Sequence, residues 1–398
     1  NVYNTRTGEM KLIQQNDGLI NNSISSISLT SSGSVIIGTY RGGLQLLNEN
    51  LEFQKKYIDY SSLTSKEISC SFLQQDSILW VGTFNKGLNK VDYSSGKVIK
   101  KYQANSSFLN SSIINCLYED QRANLWIGTR SGISVITSSG KKITIEDHLS
   151  DTDILSFQED KKGNLWIGTR NGGLNILHKN SFLENPNEPI IKKFLPKNDG
   201  SSVYNRSINT ITLDKDNKVW IGTSTGINYV DPEGEIIHAI QKKEQTENSL
   251  IHNRIGTLAN ASKSNIWIGT DGGGLDLFDP VSKKFKHFFH RDNDTSSLSN
   301  NYILSILQDS KDQVWVGTYL GGLNKLDKKT EGELVDFLID CVERITDTKK
   351  LGIWILDELD VIAGVDYSKN QALKDFFHFF NAVFNKIINS EKIKQKGF

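Results

Sequence analysis

The sequence predicts an all-β chain: a seven-bladed β-propeller over residues 1–330, followed by a short, mainly helical C-terminal tail over residues 331–398. Three observations predict it. The phrase Trp-Ile/Val-Gly-Thr recurs with its glycine at 38, 82, 128, 168, 222, 269 and 317, so successive copies stand 44, 46, 40, 54, 47 and 48 residues apart. That period is the length of a four-stranded propeller blade. Twelve residues before each Trp position stands an isoleucine, and ten before stands a small residue, in all seven copies. Beyond about Glu331 the phrase stops, and the last 68 residues hold 7 of the 18 phenylalanines but only 4 of the 32 glycines.

Within a copy, the upstream segment reads as the innermost strand. Its isoleucines are Ile24, Ile68, Ile114, Ile154, Ile208, Ile255 and Ile303, and its small residues are Ser26, Cys70, Cys116, Ser156, Thr210, Thr257 and Ser305. Positions two apart share a face of a strand. Small side chains there suit the narrow end of a blade near the axis. Cys70 and Cys116 are then small apolar fillers, not reactive thiols. A tight turn follows, in which Asp120, Asp160, Asp214 and Asp309 are placed to accept hydrogen bonds from turn amides. The second strand carries the tryptophan at 80, 126, 166, 220, 267 and 315, with Ile36 in the first copy. Burying an indole contributes a gross ~4–6 kcal/mol, so these rings read as anchors between blades. The repeated glycines are expected to supply turns with positive φ. A third strand such as "GLNIL" follows, then a more polar fourth strand such as "FKHFF".

The first residues, "NVYNTRTGEMKLI", resemble the late part of a copy, whereas the last copy lacks its outer strand. Residues near Glu9 to Ile13 are therefore expected to complete blade seven and remove two open sheet edges. The chain begins inside a pattern and is expected to be part of something longer. Its 46 basic and 46 acidic residues balance, so no global field draws it to nucleic acid. Three cysteines without C-x-x-C or zinc spacing argue against a disulfide framework or a metal site, and no cofactor is expected. No apolar run is long enough to span a membrane, and no signal peptide is present.

The repeated W-[IV]-G-T-x-x-G-G-L, its Asp-bearing turn and links such as "NDTSSLSNNYI" resemble the regulator-propeller repeats of hybrid two-component sensors from Bacteroides-type bacteria. The resemblance covers residues 1 to about 330. It implies an extracytoplasmic, periplasmic sensor domain that binds an oligosaccharide, signals through two states, pairs with a second propeller or a copy of itself, and does no catalysis. Membrane contact would come only through segments outside this sequence.

Scaffold positions repeat, so functional positions are expected where blades differ. The turn between second and third strands lies on the same face as the links between blades. It holds Tyr40, Arg41, Phe84, Lys86, Arg130, Arg170, Asn171, Asp271 and Tyr319. Aromatic faces beside forked donors suit a sugar carrying carboxylate or sulfate groups. The alternative for each is an ordinary solvated loop residue, and for the face as a whole a protein-interaction scaffold without sugar binding. Arg206 and Arg254, in the links, are weaker candidates. The seven histidines are scattered and form no pairing with a nucleophile, which argues against an enzyme.

In the tail, Leu334, Leu338, Cys341 and Ile345 recur at helical spacing, as do Leu373, Phe377, Phe380, Phe384 and Ile387. The run "LGIWILDELD", ending in Asp357 and Glu358, resembles a Walker B strand of P-loop ATPases. The chain has no G-x-x-x-x-G-K-[ST] to cradle phosphates. A helical packing tail and an appended fragment of another domain both stay open.

Overall fold

The structure, a computed structural model, describes residues 2–3, 12–48, 52–54, 62–104, 108–197, 202–231, 237–244, 246, 248–294, 297–309 and 313–326. The helical and Walker-B-like readings of residues 331–398 lie outside them.

The described residues form seven sheets, one per sequence copy. Blade one comprises strands Ile24–Leu29, Val35–Thr39 and Gly43–Leu47, and Leu47 bridges Phe53. Blades two to six each carry four antiparallel strands in sequence order, beginning at Ile68, Ile114, Ile154, Ile208 and Ile255. Blade seven takes Ile303–Gln308, Val314–Thr318 and Gly322–Leu326 from the end of the described chain. Its outer edge comes from the N-terminus. Leu12 and Ile13 pair antiparallel with Asn324 and Leu323, and Val2 and Tyr3 pair parallel with Lys325 and Leu326. Buried Ile13 packs in one cluster with Trp315 and Leu323. The innermost strand of each blade packs on that of the next, and Ile303–Gln308 packs on Ile24–Leu29, so the ring closes. One short helix, Lys179–Glu184, interrupts blade four between its third and fourth strands.

The seams between blades explain the repeat. In every blade the small residue of the innermost strand pairs with the glycine of the Gly-Thr step, after a bulge that follows the isoleucine. A Cβ placed on Gly317 would sit 2.3 Å from Ser305 Oγ and 2.7 Å from Ile24 Cγ2 of blade one. The other six glycines meet their own small residue and the next blade's isoleucine in the same way. The small residues stand where neighbouring blades crowd. One expectation changes here. The Gly-Thr glycine is needed for its missing Cβ, since none of the seven has positive φ. Positive φ belongs instead to the glycine that opens the third strand, from 77° at Gly173 to 130° at Gly226, in all seven blades.

The threonine between these glycines is fully buried, and its hydroxyl donates to the carbonyl of the later glycine at 2.8–2.9 Å in every blade. The six indoles of the repeat are buried. Their N–H groups donate to the turn aspartates Asp120, Asp160, Asp214 and Asp309 at 2.8–3.2 Å, and in the remaining two blades to Gln74 and Gln308. The same aspartates accept turn amides, as the sequence predicts; Asp160 takes those of Lys162 and Asn164 at 2.9 Å. Behind the seams, burial pushes the Cys70 thiol up to about 12 and raises Cys116 well above its ordinary value, which keeps both protonated and unreactive.

Candidate functional site: an aromatic cleft across blades seven, one and two

The turn between second and third strands is fixed from both sides. In six of the seven blades the amide after the Gly-Thr step donates to the residue just before that blade's innermost strand, as Tyr40 does to Ser23, Phe84 to Glu67 and Tyr319 to Tyr302, each at 3.0 Å. The closing glycine binds the link into the following blade, as Gly43 does with Lys66 and Gly322 with Asn22. A polar residue of the third strand ties down the link from the other side. Asn89 accepts the amide of Thr64, Asn175 that of Ser150 and Asn324 that of Ser299. Turns and links therefore form one rigid face, and only the turn tips vary from blade to blade.

On that face a cleft of about 600 Å³ opens where blades seven, one and two meet. Tyr40, Phe84 and Tyr319 line it with Arg41, and all four are exposed. The Tyr40 and Phe84 rings meet edge to face with centroids 5.0 Å apart, and the Arg41 guanidinium lies 5.4 Å from the Tyr40 centroid. Such contacts hold the rings in defined orientations. Leu320, 61% exposed with φ 59°, and exposed Leu304 add apolar surface. Ser23, Ser25 and Ser69 add hydroxyls, of which Ser25 already donates to the Ile68 carbonyl at 2.7 Å. The lining contains no carboxylate, imidazole or thiol. It offers stacking surface, one forked cation and hydrogen-bonding groups, which is equipment for binding.

The other sequence-predicted residues lie elsewhere on the face. Lys86 is exposed beside Phe84 but does not line the cleft. Arg130 is exposed on blade three. Arg170 is engaged by Asp153 at 2.6 Å, and the Asn171 amide is held by Asp151. Asp271 is matched by Arg254 at 2.7 Å, so that pair presents no net charge. The cations of blades one to four thus do not gather at one point. Sequence reasoning left out Leu304, Ser25 and Ser69. They share one register position, directly after the isoleucine of the innermost strand, and that shared register is the signal that could have found them.

Comparison with known proteins bears on these repeats. A family model described as "Two component regulator propeller" matches residues 148–171, 204–225 and 297–320. Each match runs from an interblade link through the innermost strand to the second-strand phrase. No curated protein matches the chain. Among solved structures, the extracellular domain attributed to a hybrid two component system of B. thetaiotaomicron is 23% identical with a TM-score of 0.65, over 80% of this chain and 41% of that one. PorZ, a surface component of the type-IX secretion system of Porphyromonas gingivalis, is 18% identical with a TM-score of 0.62, over 76% of this chain and 46% of that one. Virginiamycin B lyase from Staphylococcus aureus is 14% identical with a TM-score of 0.59, over 80% of this chain and 99% of that one. The chain spans less than half the length of the first two, and at these identities the likeness is one of fold. By that model the three matched stretches are two component regulator propeller repeats, and the remaining blades share their seam and turn geometry.

Proposed function

We propose that this propeller is the ligand-sensing part of an extracellular, periplasmic two-component sensor, and that an oligosaccharide binds in the cleft between Tyr40, Phe84 and Tyr319. The observation that carries this reading is the convergence of three aromatic side chains from three successive blades around one guanidinium, in a cleft large enough for one or two sugar rings. Apolar faces of sugar rings stack on such side chains, and Arg41 would hold a carboxylate or sulfate by paired hydrogen bonds. The reading is of binding without catalysis, since no carboxylate or imidazole among the lining residues stands by to activate the serine and tyrosine hydroxyls. Its position on an exposed face is compatible with a second propeller, or a second copy, closing over the ligand.

Exposed Leu304 and Leu320 favour one second reading, in which the face grips a polypeptide. Calorimetric titration with neutral, carboxylated and sulfated oligosaccharides separates the two. Tyr40→Ala combined with Phe84→Ala should weaken any sugar by at least about tenfold, or ~1.4 kcal/mol. Arg41→Ala should weaken only the anionic ones. Arg170→Ala should change nothing, because Asp153 already occupies that side chain. Failure of every oligosaccharide to bind would leave the polypeptide reading in place.

A further inference from the structure

In blades two to six the chain runs on from the third strand into the fourth, a strand of four or five residues. In blade seven that step is made between distant parts of the chain. Two-residue segments, Val2–Tyr3 and Leu12–Ile13, take the outer positions on Gly322–Leu326. Shorter ladders without covalent continuity give this closure a lower cost of local opening than the outer strands of those five blades have.

The aromatic cleft lies across this closure. Leu304, Tyr319 and Leu320 come from blade seven, whereas Asn21 and Ser23 come from the link that follows Ile13. Three hydrogen bonds join the two sides. Gln14 Nε2 donates to the Gly321 carbonyl at 3.1 Å, the Gly322 amide to the Asn22 carbonyl at 2.8 Å, and the Leu320 amide to Ser23 Oγ at 3.2 Å. The last of these spans 297 positions of sequence. The link is also held to blade one, where Gln45 accepts the Ile20 amide and donates to the Gly18 carbonyl. Leu320, with φ 59°, is the one non-glycine residue with positive φ among the described turn tips. Such a backbone persists where its surroundings hold it, and here the link holds its amide. When the link parts from blade seven, the tip can relax and the cleft loses that wall.

We propose that occupancy of this cleft and closure of the ring at blade seven form one coupled equilibrium. An occupant that touches Tyr319 or Leu320 on one side and Asn21 or Ser23 on the other bridges the two parts of the chain and favours the closed form. The inference rests on the glycan reading of the cleft and supplies it with the two-state element that a sensor needs. A ligand shifts an equilibrium through contacts that differ between the two states, and the two walls face each other in the closed ring.

Hydrogen exchange of the whole chain, with and without maltohexaose, hexagalacturonate or a heparin hexasaccharide, tests the coupling. Without sugar, amides of residues 12–14 and 320–325 should exchange at least about tenfold faster than those of Val98–Tyr102 in blade two. A sugar that binds should slow the first two segments in proportion to its occupancy and leave Val98–Tyr102 unchanged. Coupling is reciprocal, so Ile13→Ala, which lies outside the cleft lining, should weaken that sugar by at least about threefold. Ile13→Val should act in the same direction and serves if the alanine variant does not fold. Ile143→Ala, at a buried position on the outer strand of blade three, should leave the affinity unchanged. Equal protection of the closing segments and Val98–Tyr102 without sugar, bound sugar with unchanged exchange at residues 12–14, or wild-type affinity in both Ile13 variants would overturn the coupling and leave the glycan site standing. Failure of all three sugars to bind would overturn both.

Discussion

Two neighbouring seams, three–four and four–five, start from the same repeat and end differently. In both, the indole donates to its turn aspartate at 2.9 Å, Trp126 to Asp120 and Trp166 to Asp160. The three–four seam is closed. Trp126 is fully buried against Phe157 and Phe182, and Lys179, itself 1% exposed, reaches Asp120 at 3.1 Å and Glu159 at 2.7 Å. The four–five seam keeps a cleft of about 530 Å³, lined by Trp166, Val219, Val230 and Ile237 among others. Lys179 and Phe182 both belong to the helix Lys179–Glu184, carried by the longest interval between copies, 54 residues. The repeat therefore builds the frame, and a non-repeated insertion decides whether a given seam is plugged.

The sharpest way to break this comparison is to remove the plug's charge. Two buried carboxylates share one ammonium, while Asn124, Trp126 and the Gln121 amide supply further donors. Truncating one member of such a group leaves buried charge uncompensated and typically costs about 3–5 kcal/mol. Lys179→Ala should lower stability by that amount in urea unfolding at neutral pH. Lys161→Ala, on the exposed turn of the open seam, should stay within about 0.5 kcal/mol. Similar losses for the two would mean that the helix does not seal its seam.

A smaller effect separates the seams by pH. Burial opposes ionisation of Asp120, but hydrogen bonds from Asn124 and Trp126 and the charge of Lys179 outweigh it and hold the carboxyl below its ordinary value. A depressed carboxyl contributes stability that is present above its unfolded pKa and is lost as pH falls through the folded value, so the loss lies below about pH 4. Asp276 of blade six runs the other way. Burial raises it despite the His287 contact at 2.7 Å, so its contribution is full below the unfolded pKa and declines as pH rises through the folded one. Wild type should lose thermal stability below about pH 4 more steeply than Asp120→Asn, which starts lower at neutral pH. Parallel acid limbs for the two proteins would remove the triad from the account.

The frame was legible because it repeats. Seven isoleucines and seven small residues in register can have one meaning only if each copy meets its neighbour alike, and the ring puts Tyr319 beside Tyr40 and Phe84 despite the distance in sequence. The part played by the Gly-Thr glycine was misread, because a missing Cβ and a positive φ leave the same letter in the sequence. The pairings of Arg170 with Asp153 and of Asp271 with Arg254 were not legible, because each joins a turn tip to a link residue whose side-chain direction no period encodes. The cleft at blades four and five was hidden for a related reason. It exists through aliphatic residues standing where another blade has a ring, and Val219 or Ile237 alone looks like any other core position.

The smallest expected effect is the most specific to the open seam. Adding carbon to a well-packed core forces side chains off their rotamers and costs about 1–3 kcal/mol. At seam three–four, where Trp126 already touches two rings, any enlargement of a facing residue should cost that much. Val230 faces the cleft instead, so Val230→Phe can place its ring in existing space beside Trp166. The gain from the added apolar contact then offsets the entropy of ordering the ring, and the net change in urea unfolding should stay within about 1 kcal/mol. Trp166 fluorescence should shift to shorter wavelength as its remaining exposure is covered. A loss of several kcal/mol from Val230→Phe would mean that the seam is as tightly filled as its neighbour, and the contrast between the two seams would not survive it.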